Sequence, residues 1–303
     1  MKWSFSQHGA FHRCQRQWFY RYVYASAVAN DERRRDAHRL SKLVNMKAWR
    51  GKVVDDVISK AVIPSVGQRK ELDLRRARQM AWNIFCSQKQ MGLDGWVRNT
   101  GDFRGFLEVE QGSPPTQKAF DQAWSEIDCA LHSFYRNDYI LNTLREASTH
   151  RTQRRIPFCC NGTNLIAVPD VICFYSDRNP FIIDWKVQSN PIGNYWMQLA
   201  TYALALVTCK PHKDWPSLPQ ALQASDIKLA EVQLLTGTVR EHTLSDDDIE
   251  ELQEIITCSA TEMSLARRGL SPKDLHARDF PTAYSPGTCR YCAFKRLCWE
   301  ADQ

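Results

Sequence analysis

Three ionisable side chains interrupt the most apolar part of the sequence, and they constrain the fold more than any other feature. Residues 167–187 read AVPDVICFYSDRNPFIIDWKV, two apolar β-rich runs joined by an SDRNP turn. Asp170 falls in the first run, and Asp184 and Lys186 fall in the second. An unpaired ionised group in a low-dielectric strand is costly, so two acids and an amine in adjacent strands point to a shared partner. A divalent cation held by hard oxygen ligands is the natural one. The alternative is an Asp184–Lys186 salt bridge with Asp170 capping a turn.

Strand geometry sharpens the first reading. Residues i and i+2 share a face, so Asp184 and Lys186 point the same way. Pairing Tyr175 with Phe181 sets Ile172 opposite Asp184 and Asp170 opposite Lys186. Asp170 is then diagonal to Asp184, about 7–8 Å away and within bridging reach of one ion. A slip of one residue would send the acids to opposite faces. Two carboxylates holding Mg²⁺ or Mn²⁺, with a lysine to orient water or stabilise developing charge, suit phosphodiester hydrolysis. The backbone carbonyl of Trp185 is a candidate further ligand. Gln198 and Tyr202, four residues apart, share one face of the following helix, where they can approach a substrate strand or form an ordinary core pair.

The pattern around this segment is helical first and alternating later. Helices are predicted over residues 7–24, 36–61, 71–90 and 116–147, with a Gly- and Asp-rich loop at 91–106. RRIPFCC-NG-TNLIAVPDVICFY reads as two strands joined by an Asn161-Gly162 turn. FIIDWKV is a third strand, QSNPIGN a loop and YWMQLATYALALVTC a helix. Strands follow at 227–235 and 238–243, and Ser245 caps a helix running to about Arg268. The expectation is an α/β fold with a large helical segment before the sheet.

With 303 residues and 43% hydrophobic content, the chain can bury a full core. No apolar stretch approaches the roughly 20 residues of a membrane span, and the amphipathic start does not resemble a secretory signal. A soluble, cytoplasmic protein without a membrane partner is expected. The net charge of +6 permits nucleic-acid binding without requiring it. Arg33–Arg35, Arg75, Arg76 and Arg78, and Arg151, Arg154 and Arg155 are candidate phosphate contacts or solvated faces.

The 11 cysteines are an odd number, which argues against a disulfide framework. Cys86, Cys129, Cys173 and Cys209 sit in apolar patterns and are expected as core thiols. Cys289, Cys292 and Cys298 differ: C-x2-C grips one metal centre and a third thiol closes over it, leaving the set one ligand short. Cys14 stands in an aromatic and cationic helix-like stretch at the other end of the chain.

In order, VPD (168–170), IDWK (183–186) and QLATY (198–202), with the opening SFSQHGAFHRCQRQWFYRY and the closing CRYCAFKRLC, resemble the RecB-like branch of the PD-(D/E)xK nuclease superfamily. The likeness is greatest to its Cas4-like and AddB-like iron–sulfur members and spans residues 4–298; residues 63–145 carry no matching motif. The resemblance implies a restriction-endonuclease-like core, a central mixed sheet flanked by helices. It makes Asp170 and Asp184 metal ligands, Lys186 the catalytic lysine, and Gln198 and Tyr202 the QxxxY pair that supports DNA binding. Family members usually carry a histidine ligand on an early helix. Here RGKVVDD puts Asp55 at that position, an oxygen ligand acceptable to Mg²⁺ or Mn²⁺. Glu146 is a weaker candidate for supporting the metal.

The resemblance also implies that Cys14 joins Cys289, Cys292 and Cys298 around a [4Fe–4S] cluster that staples the chain ends; Zn²⁺ is the main rival, and His8, His12 and His38 are then not ligands. One nuclease domain over 1–303 is expected, made of N-terminal helices (1–62), a helical insertion (63–148), a catalytic sheet with the QxxxY helix (149–245) and a C-terminal helix with the cysteines (246–303). The implied activity is metal-dependent DNA cleavage, as an exonuclease on single-stranded ends or flaps, in repair, recombination, phage or CRISPR-type defence. The alternative is a non-cutting DNA-binding or scaffold subunit of a larger DNA-processing complex.

Overall fold

A computed structural model describes residues 2–70, 72–94, 103–188, 195–219 and 221–301. The chain opens with a short strand β1 (Lys2–Trp3) and helices α1 (Phe5–Arg13) and α2 (Gln15–Trp18), the latter running into a π-helical turn, Phe19–Tyr24. The continuous helix predicted for 7–24 is therefore interrupted. Cys14 adopts an extended backbone (φ −166°, ψ 107°), and its Sγ accepts the Gln17 N–H at 3.4 Å, so it caps α2 instead of lying within a helix.

The helix predicted for 36–61 also divides, into α3 (Glu32–Ser41) and α4 (Met46–Val57), the second continuing through a π-helical turn (Ile58–Val62) into α5 (Ile63–Gly67). The break has a local cause: the Asn45 side chain accepts the Ala48 N–H at 2.8 Å, and Val44 bridges to Phe106. Next come α6 (Leu74–Leu93), α7 (Leu107–Glu110), α8 (Gln117–Arg136) and α9 (Asp138–Glu146). The apolar spacing predicts one helix across the last two; Asn137 separates them by accepting the Ile140 N–H at 3.1 Å as a cap.

Strands β2 (Thr149–Thr152), β3 (Ile156–Cys160), β4 (Thr163–Ala167), β5 (Val171–Phe174) and β6 (Phe181–Lys186) lead to α10 (Trp196–Thr208). Then follow β7 (Lys228–Gln233), β8 (Thr238–His242), α11 (Asp246–Ala266), α12 (Pro286–Arg290) and α13 (Lys295–Ala301). The β3–β4 hairpin turns on Asn161 and Gly162 with φ of 45° and 75°, the left-handed pair that a two-residue hairpin requires. The loop expected at QSNPIGN lies largely outside the described residues, as do residues 95–102 of the loop expected at 91–106, whose first residues instead continue α6 to Leu93.

Two sheets result, of order β1-β4-β3 and β2-β5-β6-β7-β8. The run predicted as a single strand from Thr163 to Tyr175 divides at Val168–Asp170, so β4 and β5 belong to different sheets. In the five-stranded sheet β6 and β7 are parallel and the other neighbours antiparallel. Its central strands are buried on both faces, which is why they read as near-continuous apolar runs. Ile172, Phe174, Ile182 and Leu229 pack with the α1, α10 and α11 side. Val171, Cys173, Ile183, Ala230 and Val232 pack with the α4, α6 and α8 side. The mixed sheet between helical layers matches the expected α/β class.

Not all of the thiols expected in the core are there: Cys173 and Cys209 are buried, but Cys86 and Cys129 are exposed. Their apolar neighbours occupy the buried sides of α6 and α8, and the thiols sit on the other face.

Candidate metal and nucleic-acid site

Strand β6 supplies two of the expected groups. Asp184 is 2% exposed, Lys186 shares its face, and the two form an ion pair. The β5–β6 register is Cys173↔Phe181, Ile172↔Ile182 and Val171↔Ile183. The expected pairing of Tyr175 with Phe181 is thus displaced by two residues. Tyr175 leaves the ladder because its hydroxyl donates to Thr143 O at 3.0 Å and its ring lies under the Arg178 guanidinium at 3.9 Å. A two-residue shift preserves the faces, and continuing the ladder by one step sets Asp170 directly opposite Asp184, not diagonal to it. Asp170 Oδ2 accepts the Trp185 N–H at 2.9 Å, which ties the acid to β6.

Helix α4 brings in Asp55. Gln153 Nε2 lies 2.9 Å from Asp55 Oδ1 and 2.8 Å from Asp170 Oδ1, so one nitrogen spans both carboxylates. From α10, Gln198 accepts a hydrogen bond from Lys186 Nζ at 3.0 Å and donates to Asp184 Oδ1 at 3.3 Å and to the Tyr202 hydroxyl at 2.5 Å. Lys186 Nζ also sits 4.6 Å from the Tyr195 ring centre. Asp55, Asp170, Asp184, Lys186, Gln198 and Tyr202 therefore meet in one place, at the ends of β5 and β6.

The electrostatics are those of crowded acids. Burial, then the nearby Asp184 and Asp55 charges, hold the Asp170 carboxyl well above the ordinary carboxylate range. Burial also raises Asp184, opposed by Lys186. Burial and the adjacent Asp56 push Asp55 up to about 6. Burial works against the Lys186 ammonium, but Asp184 and Asp170 outweigh it and hold its pKa above the usual lysine value. Burial and the same two acids raise the Tyr202 phenol.

Two residues that the sequence reading did not single out belong to this surrounding. Glu231 on β7 is 1% exposed and pairs in register with Asp184. Its carboxylate has Arg240 and His242 each 3.9 Å away. A lone acid in the apolar run KLAEVQLL carries the same signal that exposed Asp170 and Asp184. Gln153 stands in a polar run, TQRR, and carries none.

Other candidates are engaged elsewhere. Glu146 pairs with Arg178 at 2.5 Å and does not reach the site. Arg151 and Arg154 both contact Asp214 at 2.9 Å. Arg34 and Arg35 donate to backbone carbonyls, and Arg78 pairs with Asp128. These guanidiniums brace the fold.

Cys14, Cys289, Cys292 and Cys298 lie together where the N- and C-terminal segments meet. Burial, then the nearby Cys14, Cys298 and Cys289, raise the Cys292 thiol to about 11. Arg16 Nη1 donates to Cys298 Sγ at 3.6 Å and Gln17 Nε2 to Cys292 Sγ at 3.7 Å. The chain ends are further joined by Tyr20 Oη to Leu297 O at 2.9 Å and by Phe19 stacked on Phe280 at 4.4 Å.

Among the described residues, no group of three or more His, Cys, Asp or Glu side chains stands in ready metal-ligating geometry. The donor chemistry nevertheless fits two different groups. Three clustered carboxylates, two of them spanned by a single amide nitrogen, suit a hard divalent cation. Four neighbouring thiols, three of them with N–H donors aimed at the sulfur, suit a thiolate-bound centre. No helix among the described residues is long and apolar enough to cross a membrane.

A search of curated proteins returned no match. Among solved structures, one described as "Crystal structure of SSO0001" aligns over 73% of this chain and 96% of its own, at 12% identity and a TM-score of 0.32. The family model for the PD-(D/E)XK nuclease superfamily matches residues 2–299, nearly the whole length, and the chain belongs to that superfamily.

Proposed function

We propose that this protein is a metal-dependent deoxyribonuclease that hydrolyses DNA phosphodiester bonds, acting as an exonuclease on single-stranded ends or flaps. The observation that carries the reading is the convergence of three carboxylates and one charged lysine beside a Gln–Tyr pair, from α4, β6, α10 and the bend before β5. Asp170 and Asp184, with Asp55 and the Trp185 carbonyl, would hold Mg²⁺ or Mn²⁺. A bound cation of this kind polarises the scissile phosphate and lowers the pKa of a water molecule. Lys186, kept protonated by its acidic neighbours, orients the attacking water or offsets charge gathering on the phosphate oxygens. Gln198 fixes the lysine and Asp184 together, and Tyr202 fixes Gln198.

Cys14, Cys289, Cys292 and Cys298 would hold a structural [4Fe–4S] cluster, as in RecB-like and Cas4-like nucleases. DNA is the substrate, and partner proteins of a DNA-processing assembly are consistent with this class. The test uses anaerobically purified protein, Mn²⁺ or Mg²⁺, and end-labelled single-stranded and duplex DNA. Cleavage should require the metal and fall at least about a hundredfold in Asp184→Ala and Lys186→Ala. Undiminished cleavage by both variants would refute the mechanism. Brown protein containing iron supports the cluster, whereas colourless zinc-loaded protein removes it.

A further inference from the structure

Gln153 follows the last residue of β2 with φ of 48°, in the left-handed region. A glutamine there is strained, and such strain persists only where its surroundings over-determine the conformation. Two contacts do so. Its backbone N–H donates to Asp170 O at 3.1 Å, and its amide nitrogen contacts Asp55 Oδ1 and Asp170 Oδ1 at 2.9 and 2.8 Å. An amide nitrogen carries two hydrogens, so each carboxylate receives one. The side chain is otherwise exposed, so apolar burial does not explain its position.

We propose that Gln153 is a neutral bolt between two candidate metal ligands: its amide holds Asp55 and Asp170 together in the metal-free protein, and a divalent ion would gain these oxygens only by displacing it. The proposal rests on the reading of the carboxylates as metal ligands. The physical basis is competition for the same oxygen atoms. Two carboxylates this close repel each other, and a donor between them relieves the repulsion without bringing a charge. A divalent ion relieves it more completely but must break both hydrogen bonds first. Gln153 therefore keeps the acids aligned before metal arrives and weakens metal binding. It is a positioning residue that acts through Asp55 and Asp170.

The test compares wild type with Gln153→Ala and Gln153→Gly, the glycine variant keeping the left-handed backbone at no steric cost. Mn²⁺ affinity is measured by calorimetry at pH 8. The side-chain amide pair of Gln153, identified by its absence from both variants, is followed by nuclear magnetic resonance during Mg²⁺ titration. Both variants should bind Mn²⁺ about tenfold more tightly. The wild-type amide signals should move to the solvent-exposed position as Mg²⁺ saturates. Unchanged or weaker Mn²⁺ binding in the variants would overturn this inference alone, weaker binding marking the amide oxygen as a ligand. Absence of Mn²⁺ binding by the wild type would overturn the metal reading along with it.

Discussion

Asp55→Asn should stabilise the metal-free protein and impair the metal-loaded one. Burial and Asp56 push the Asp55 carboxyl from an ordinary 3.8 up to about 6, so folding favours its protonated form. Above pH 6 the ionised group is a burden on the folded state, fully present at pH 8 and relieved as the pH falls from about 6 towards 4. A displacement of roughly two pH units, at about 1.4 kcal/mol each, puts that burden near 3 kcal/mol. Asparagine carries no charge at any of these pH values and keeps an oxygen for the Gln153 amide. In metal-free buffer at pH 8, Asp55→Asn should therefore gain about 3 kcal/mol, or about 5 °C in Tm for a chain of this size. The gain should fade by about pH 4. Saturating Mn²⁺ should reverse the order, because the ion stabilises only the form that ligates it well. Urea and thermal unfolding at the two pH values, with and without Mn²⁺, read all of this. A metal-free variant no more stable than wild type at pH 8 would refute the reasoning.

Tyr202→Phe should remove the 2.5 Å contact that fixes Gln198, cost about 1 kcal/mol in urea unfolding, and slow metal-dependent DNA cleavage by about 10–100-fold with folding intact. Gly92→Ala tests the packing under α6. An added Cβ would lie 2.3 Å from Phe106 Cε2 and 2.9 Å from Phe103 Cζ, and both rings are buried. Overpacking should outweigh the roughly 1 kcal/mol gain in helix propensity, giving a net loss of about 1–2 kcal/mol by urea unfolding. On the proposed cluster, Cys14→Ser should lower bound iron and visible absorbance and reduce stability by about 4 kcal/mol or more, since such a staple between the chain ends would close a very long loop. Thermal unfolding with iron analysis checks both parts.

Asp184 and Lys186 of β6 were legible because charge inside an apolar strand is expensive and therefore conspicuous, and Asp170, in the bend just before β5, because it interrupts the same kind of apolar run. The same rule would have found Glu231. Gln198 and Tyr202 were legible through their i, i+4 spacing and the motif they match. The β5–β6 register was not: the pattern fixes which face each residue takes but not a shift by two, and Tyr175 was drawn from the ladder by Thr143 and Arg178. The breaks at Cys14, Asn45 and Asn137 were missed because apolar periodicity runs on through a cap whose only mark is one polar side chain. Gln153 lies in a polar segment, where a glutamine with a structural task looks like any solvated one.

The sequence alone determined what depends on near neighbours: the Asn161-Gly162 hairpin, the Ser245 cap, and the alternation that turns Asp184 and Lys186 the same way. These follow from sterics and hydrogen bonds within a few residues. The tertiary structure decided the meeting of Asp55 with Asp170 and of Cys14 with Cys292, and the placing of Asp170 across from Asp184. Each joins separate elements, in two cases more than a hundred residues apart. Contacts of that kind are selected by the packing of whole layers, because no local preference reaches so far along the chain.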